Sequence, residues 1–437
     1  MTKLKLLILV LATGLLAIQL RHPIHGSLFN RPVEALPSAE KAPEPEKPAP
    51  QPLVSQALVN YEGLLTRTGE SLDGQGVLVE TLDAKQIIAS HNIDHTFNPA
   101  SVTKIATSLA ALVKFGPNYH LKTTLYADGD VDRSARTING NLVLDTDGDP
   151  MFFVNNAQEL AQNLVRAGIN KVSGDLVIKG PFSINRNSSP QASADKMMAA
   201  FRGAGVKFGG NLRFADGRGG QTELVAYECG TPLIQILLYQ NAHSDNPIAE
   251  RIGDSIGGPQ GLQQFLIKSV GVKPEDVYIS RTSGLDYNRI SPRAMILILR
   301  RLMDLLDAQQ LKPEDLLPVA GVDDGTLRTR FKGDEWHGAV IGKTGSLPGT
   351  DGGVSTLAGI AYSQKYGPIL YAIFNSGGNV PQYRRWQDDL LEGIIAECGG
   401  PAIGARQQNG LNEEIRTEPS IHIIPPSQPQ DSATTSQ

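Results

Sequence analysis

The chain has 437 residues, 40% of them apolar and 19% charged, with a formal net charge of -5. That gives room for two or three domains around a substantial core, and it excludes the basic excess that a nucleic-acid partner requires. With only two cysteines, Cys229 and Cys398, a disulfide-rich scaffold and a cysteine-rich metal site are excluded too, and a single disulfide is left open.

The N-terminus reads MTKLKLLILVLATGLLAIQL, in which Lys3 and Lys5 precede an apolar run from Leu6 to Ile18. This is the order of an export signal, so residues 1–20 are predicted to be a signal peptide or an anchor. The run is short for a membrane span and no clean A-x-A cleavage site follows it, so removal and retention as a membrane anchor both stay open. Residues 21–57 form a linker whose centre, RPVEALPSAEKAPEPEKPAPQP (31–52), is rich in Pro, Ala, Glu and Lys and favours an extended spacer. From about 404 to 437 the sequence is rich in Gln, Ser, Pro and Thr without a sustained apolar period, which predicts disorder.

Between these ends, GVLVETLDAKQIIASHN (76–92) predicts two strands around a turn at Asp83 to Lys85, followed by a helix that contains Ser101. That helix would bury a stripe of Ile105, Leu109, Leu112 and Val113. Residues 118–225 are rich in Gly and Asp and repeat Gly-Asn/Asp-Leu at Gly140, Gly174 and Gly210, each copy opening a short β-type run. This texture predicts a β-rich accessory domain inserted into the first. Beyond Pro232 the pattern turns helical: LIQILLYQ and NPIAERIGDSI flank His243-Ser244-Asp245-Asn246, and SPRAMILILRRLMDLL (291–306) opens with a capping serine and an N1 proline. The strand-like stretches 352–362 and 367–377 then precede an amphipathic helix over 381–398. Strands at both ends with helices between predict one sheet assembled from distant segments.

The S-x-x-K spacing occurs at Ser38/Lys41, Ser101/Lys104 and Ser193/Lys196. Ser38 lies in the spacer and Ser193 in a polar stretch with no strand before it; only Ser101 follows a strand pair and opens an apolar-faced helix. Residues i and i+3 share a helix face, so the Lys104 amine can reach the Ser101 hydroxyl. A serine hydroxyl needs a base, and a lysine serves only when neutral. Moving its pKa from about 10.4 to about 7 costs roughly 4.6 kcal/mol, so burial or a second cation must supply the shift.

Lys343-Thr344-Gly345 is a candidate for that second cation and also for a carboxylate clamp, because an ammonium beside a hydroxyl suits a substrate carboxylate. Gly345 would let a substrate backbone approach the strand edge. A phosphate-binding G-x-x-x-x-G-K-T would need glycine at 337, where the chain has His337. Ser244-Asp245-Asn246 is the third element: Ser244 is a candidate proton relay to Lys104, and the Asn246 amide a holder of a substrate amide oxygen. S-x-N recurs at Ser90/Asn92 and Ser183/Asn185, so it is the set of three motifs in this order that is specific.

With GDP (148–150), SGDLVI (173–178), SDNPIAE (244–250), SGLDYNRISP (283–292), LPVAGVDDGTLRTRF (317–331) and GKTGSLPGT (342–350), the chain resembles the D-alanyl-D-alanine carboxypeptidase/endopeptidase family, the class C low-molecular-mass penicillin-binding proteins of peptidase family S13. The resemblance implies an α+β fold, an antiparallel sheet flanked by helices of the penicillin-binding and serine β-lactamase type. Its catalytic domain would span 58–117 plus 226–403, with the accessory domain inserted at 118–225. It implies Ser101 as acylated nucleophile, Lys104 as base, Ser244 and Asn246 as the second motif, and Lys343, Thr344 and Gly345 at the terminal carboxylate. Backbone N–H groups of Ser101 and Ser346 would form the oxyanion hole. The implied partners are peptidoglycan stem peptides, with β-lactams as inhibitors, in the periplasm or cell envelope and with no metal or cofactor. Two departures stand out. Ser101 and Ser244 are 143 residues apart (244 - 101), where the family usually carries a larger insertion, so one accessory domain or a trimmed second is expected; and Arg281-Thr282 precedes Ser283-Gly284 where the family commonly has Asp-Gly.

The competing readings are a β-lactamase, which would need an efficient deacylating base, and a non-catalytic peptidoglycan-binding protein on the same fold. His91 and His95 lack the glutamate of H-E-x-x-H, and DTDGDP (145–150) puts Pro150 where a calcium loop needs glycine. GDSIG (253–257) matches a nucleophile elbow in letters only, since Ser255 ends a helical pattern instead of following a strand.

Overall fold

The computed structural model describes residues 72–216, 223–408 and 420–423; the predicted export signal and the whole of the predicted linker lie outside the described residues. One antiparallel sheet of five strands runs in the order Val340–Leu347, Val354–Ser363, Gly367–Ser376, Gln75–Thr81 and Ile87–His91. Its central register pairs Gln75 with Asn375 and Thr81 with Ile369, so the first and last thirds of the chain meet in adjacent strands as the sequence predicts.

Strand 75–81 is buried along its whole length because helices cover both faces of the sheet. Side chains alternate sides along a strand. Leu78, Ile341, Ile360, Leu370 and Phe374 thus join the core formed with helices Thr103–Phe115 and Pro292–Ala308. Val77, Val79, Leu357, Ile369 and Ile373 face the other way, against Trp386, Leu390 and Ile394 of helix Val380–Glu397. The helix start predicted from Ser291-Pro292 is capped as expected, with Ser291 Oγ accepting from Ala294 N; at the start of helix Val380–Glu397, Asn379 Oδ1 accepts from Gln382 N in the same way.

Helix Thr103–Phe115 is buried from Thr103 to Leu112 and stops where Gly116, at φ +80°, returns its N–H to the Leu112 carbonyl. Ser101 stands just ahead of it, in the 3-10 turn Ala100–Val102. Val113 departs from the predicted stripe and is 45% exposed, because the buried band turns with the helix toward Ile105, Leu109 and Leu112.

The insertion builds a second sheet. Strand His120–Asp132 pairs antiparallel with Thr137–Thr146 on one side and Glu223–Pro232 on the other. Strand Thr137–Thr146 then pairs in parallel with Lys171–Val172 and Leu176–Lys179, which pair with Lys207–Phe208 and Leu212–Phe214. Parallel pairing needs crossovers, and two helices, Val154–Arg166 and Pro190–Gly203, supply them. The β-rich expectation holds for the strands but did not include these two helices. The helical period of Ala157, Leu160, Ala161 and Leu164, all buried, is hidden among polar residues.

The sheet also passes the expected boundary at 225, since strand Glu223–Pro232 belongs to it entirely. The tail expected to be disordered from 404 contributes a strand, Ser420–Ile423, paired with Ala226 to Cys229, and its first residues, Gly404 and Ala405, donate their N–H groups to the Gly338 carbonyl beside the five-stranded sheet. Backbone pairing, which the tail's polar composition does not reveal, holds both segments. Cys398 is a free, buried thiol.

The Gly-Asx-Leu repeat is a ladder across the parallel strands. Leu142, Leu176 and Leu212 lie in register; Asn141 Oδ1 accepts from Asp175 N at 2.8 Å, and Asp175 Oδ1 accepts from Asn211 N at 2.8 Å. Each glycine makes room for the rung before it: a Cβ at Gly174 would strike Asn141 Oδ1, and one at Gly210 would strike Asp175 Oδ1.

Candidate active site

The Ser101 turn is held under tension by neighbours from four segments. Ala100 sits at φ +47°, a conformation an alanine adopts at a cost of about 1–3 kcal/mol. Asn98 fixes it: its Oδ1 accepts from Ala100 N at 3.0 Å, while its Nδ2 donates to the Asp286 carbonyl at 2.7 Å. Thr356 Oγ1 donates to the Pro99 carbonyl at 2.7 Å. Two glycines close around the turn. A Cβ at Gly284 would strike the Ala100 carbonyl, and one at Gly345 would strike Thr356 and crowd Pro99 and Ala100. The room at Gly345 is thus filled by the nucleophile turn, which corrects the expectation that it serves an approaching substrate backbone.

Lys104 is fully buried, and its Nζ reaches Ser101 Oγ at 2.9 Å, Asn246 Oδ1 at 2.7 Å and the Ser283 carbonyl at 2.6 Å. Burial pushes this amine down to about 7, while the carboxylates of Glu250 and Asp245 pull the other way. An amine poised there is neutral in a large fraction of molecules at neutral pH. Of the two sources the sequence leaves open, burial or a second cation, burial is the one that lowers it.

Asn246 uses its carbonyl on Lys104, and its NH2 makes no hydrogen bond among the described residues, which leaves a donor for a substrate carbonyl. Ser244 sits at φ +58° as the residue that ends helix Leu233–His243, one position before the Asp245 cap of helix Asn246–Ser255. Its hydroxyl makes no hydrogen bond to Lys104, so the expected relay is not formed in this structure.

Lys343 is fully buried on the edge strand, its Nζ donating to the Thr344 carbonyl at 2.7 Å. Burial, and then the charge on Lys104, hold it well below the ordinary lysine range. An amine this deeply buried and turned to the Thr344 carbonyl is not presented to an incoming carboxylate, so the expected clamp is not formed in this structure. The exposed cation at this strand is Arg384, which sequence reasoning missed inside the amphipathic helix. Its Nη2 donates to Ser346 Oγ at 3.0 Å. Thr344 Oγ1 donates to Thr326 Oγ1 at 2.7 Å, and Thr326 N to the Ala242 carbonyl at 2.9 Å, tying the edge strand to the helix that ends at Ser244. Beyond Ile341 and Gly342, which pair with Pro318 and Val319, the edge from Lys343 onward carries no backbone partner on its outer side among the described residues.

The other S-x-x-K pairs do no such work. Ser193 is buried on helix Pro190–Gly203 and accepts from Ile184 N, while Lys196 is exposed; Ser38 and Lys41 lie outside the described residues.

The profile of the D-Ala-D-Ala carboxypeptidase 3 (S13) family matches residues 64–183 and 179–394. The chain belongs to this family. Among curated relatives it is 28% identical over 229 residues to carboxypeptidase DacB of Mycolicibacterium smegmatis, covering 49% of this chain and 48% of that protein. It is 29% identical over 122 residues to D-alanyl-D-alanine carboxypeptidase DacB of Haemophilus influenzae, covering 28% and 25%. The chain thus spans half or less of the curated relatives it matches. In fold it is similar to penicillin binding protein 4 (dacB) from Haemophilus influenzae, at TM-score 0.65 and 20% identity over 77% of this chain and 99% of that one. A predatory peptidoglycan endopeptidase from Bdellovibrio bacteriovorus follows at TM-score 0.62 and 19% identity, over 76% and 95%.

Proposed function

We propose that this S13-family protein is a serine-type D-Ala-D-Ala carboxypeptidase, with DD-endopeptidase activity on cross-linked peptides, acting on peptidoglycan stem peptides through an acyl-enzyme at Ser101. The observation that carries the reading is the buried Lys104 amine, pushed down to about 7 and 2.9 Å from Ser101 Oγ.

Neutral Lys104 takes the Ser101 proton as Oγ attacks the penultimate D-Ala carbonyl. The backbone N–H groups of Ser101 and Ser346 receive the oxyanion, and the Asn246 NH2 holds the substrate amide oxygen. The proton held on Lys104 passes to the departing amine, D-alanine leaves, and water completes the cycle. The terminal carboxylate is received by the hydroxyls of Thr344 and Ser346 beside the Arg384 guanidinium, with Lys343 buried behind them and Gly345 giving the nucleophile turn its room.

β-Lactams imitate the scissile peptide and acylate the same serine. A Bdellovibrio endopeptidase of similar fold has been solved acylated by penicillin G. Both oxygens of Glu250, the carboxylate beside Lys104, accept from the Thr282–Ser283 loop, Oε2 from Thr282 Oγ1 at 3.0 Å and Oε1 from Ser283 N at 3.2 Å, an orientation that serves this loop rather than a deacylating water. That favours a persistent penicillin adduct over β-lactamase turnover. The lysine-led apolar run at the N-terminus fits export to the envelope, where the substrate is found.

Purified protein incubated with an acyl-D-Ala-D-Ala peptide and, separately, with labelled penicillin tests the reading. Release of D-alanine and a long-lived adduct on the Ser101 peptide support it. Rapid penicillin hydrolysis without an adduct favours a β-lactamase, and neither D-alanine nor an adduct leaves a non-catalytic wall-binding protein.

A further inference from the structure

One side chain of the insertion reaches the catalytic machinery. After strand Leu176–Lys179 the chain turns back through Asn185 and Arg186, both in the left-handed region at φ +56° and +57°. This turn is pinned on both sides: Asn185 N donates to the Phe152 carbonyl at 3.1 Å, Asn185 Oδ1 accepts from Val154 N at 3.2 Å, and the buried Ile184 donates its N–H to Ser193 Oγ. A strained backbone held by neighbours presents its side chain with little freedom.

The Arg186 guanidinium lies 5.4 Å from the ring centre of Phe153 and 5.3 Å from that of Tyr239, the latter on the helix that ends at Ser244. From there its Nη1 donates to Asp245 Oδ2 at 2.7 Å, in a pair whose side chains are 21% and 13% exposed. The other oxygen of Asp245 accepts from Ile248 N at 2.9 Å and caps the helix that begins with Asn246. Asn246 in turn holds Lys104.

We propose that Arg186 is a positioning residue for the Lys104 base, acting through Asp245: it holds the turn that carries Ser244 and Asn246, and it cancels a carboxylate charge that would otherwise act on Lys104. The proposal rests on the reading of Lys104 as the base.

The charges around the site fix the sign. Lys104 faces Asp245 and Glu250 from one side and Lys343 from the edge strand; both carboxylates favour its ammonium form. Asp245 faces Arg186, His243 and Lys104, and His243 also faces Asp324. Without the guanidinium, Asp245 acts uncompensated, Lys104 holds its proton to higher pH, and the base is lost from the acid side.

The test is the second-order rate of penicillin acylation against pH, whose acidic limb reports the base in the free enzyme. Arg186→Gln is expected to move that limb up by about half a pH unit, and Arg186→Lys, which keeps the charge, to leave it near wild type. Asp245→Asn, which keeps the cap, is expected to move it down, and Arg186→Gln with Asp245→Asn to return it close to wild type. An unmoved limb in Arg186→Gln, whatever happens to the plateau rate or melting temperature, overturns the proposal. Should Arg186→Gln not fold, an unmoved limb in Asp245→Asn overturns it equally. Lys104→Ala is measured alongside: acylation at the wild-type rate in that variant defeats the reading of the base itself, independently of Arg186.

Discussion

Lys104 Nζ and Asn246 Oδ1 stand 2.7 Å apart although they are 142 positions apart in the chain, and this contact brings the first two sequence motifs into one site. It engages the carbonyl of the Asn246 amide and leaves its NH2 without a hydrogen bond among the described residues. Asn246→Ala should lower the acylation rate by about 100-fold, since it removes both a partner of the base and a substrate donor. Asn246→Asp should do more at neutral pH, because a third carboxylate beside Lys104 stabilises the ammonium. Its acidic limb should rise well above that of Asn246→Ala, as stopped-flow acylation across pH 5 to 9 would record.

The edge strand separates two cations that the sequence does not distinguish. Arg384→Ala should weaken ligands with a free terminal carboxylate relative to their methyl esters by about 10- to 100-fold, the worth of a charge-assisted hydrogen bond. Lys343→Ala should weaken both ligand types alike, because its amine is buried behind the strand and disturbing the interior beside Lys104 is indifferent to the ligand's charge. Competition of acid and ester peptides against labelled penicillin reads the difference. Selective loss of the acid in Lys343→Ala would return the clamp to Lys343.

Gly284 is at φ +85° against the Ala100 carbonyl. Gly284→Ala should displace the nucleophile turn, abolish penicillin labelling and lower stability by at least about 1–3 kcal/mol, read as a fall in Tm. Gly116→Ala serves as the comparison: Gly116 also has positive φ, but open space surrounds it, so labelling should survive.

The second sheet holds a carboxyl pair that the active site does not use. Burial raises Asp149 to about 7, and burial with the Asp149 charge raises Glu228 to about 8; one oxygen of each has no hydrogen-bond partner. Both groups keep their protons longer folded than unfolded, where carboxyls titrate near 4. Their contribution to stability is therefore complete below about pH 4 and lost as pH rises toward 7 to 8. Thermal melts should show Tm falling over that window, and Glu228→Gln should flatten the fall.

Much of the catalytic part is legible in the sequence because its signals are local. Alternating apolar residues mark strands 75–81 and 354–363, Ser291-Pro292 marks a helix start, and Ser101 is picked from three S-x-x-K pairs by the strand pair before it. What resists reading depends on depth and on distant partners. Nothing local says that Lys343 is buried while Arg384, one exposed arginine of an amphipathic helix, faces Ser346. Arg186 is likewise silent, since its role depends on Phe153, Tyr239 and Asp245 converging from three segments. Helices Val154–Arg166 and Pro190–Gly203 were lost among glycine-rich turns, although the Gly-Asx-Leu repeat was real: it is the ladder that spaces the parallel strands those helices connect.

The most direct test is D-alanine release from an acyl-D-Ala-D-Ala peptide by the wild type, Ser101→Ala and Lys104→Ala, with mass spectrometry of the protein trapped by penicillin. The account predicts release by the wild type with an acidic limb near pH 7, one adduct on the peptide containing Ser101, and loss of both in the two variants. Release of D-alanine by Ser101→Ala at the wild-type rate, or an adduct on any other residue, would contradict it.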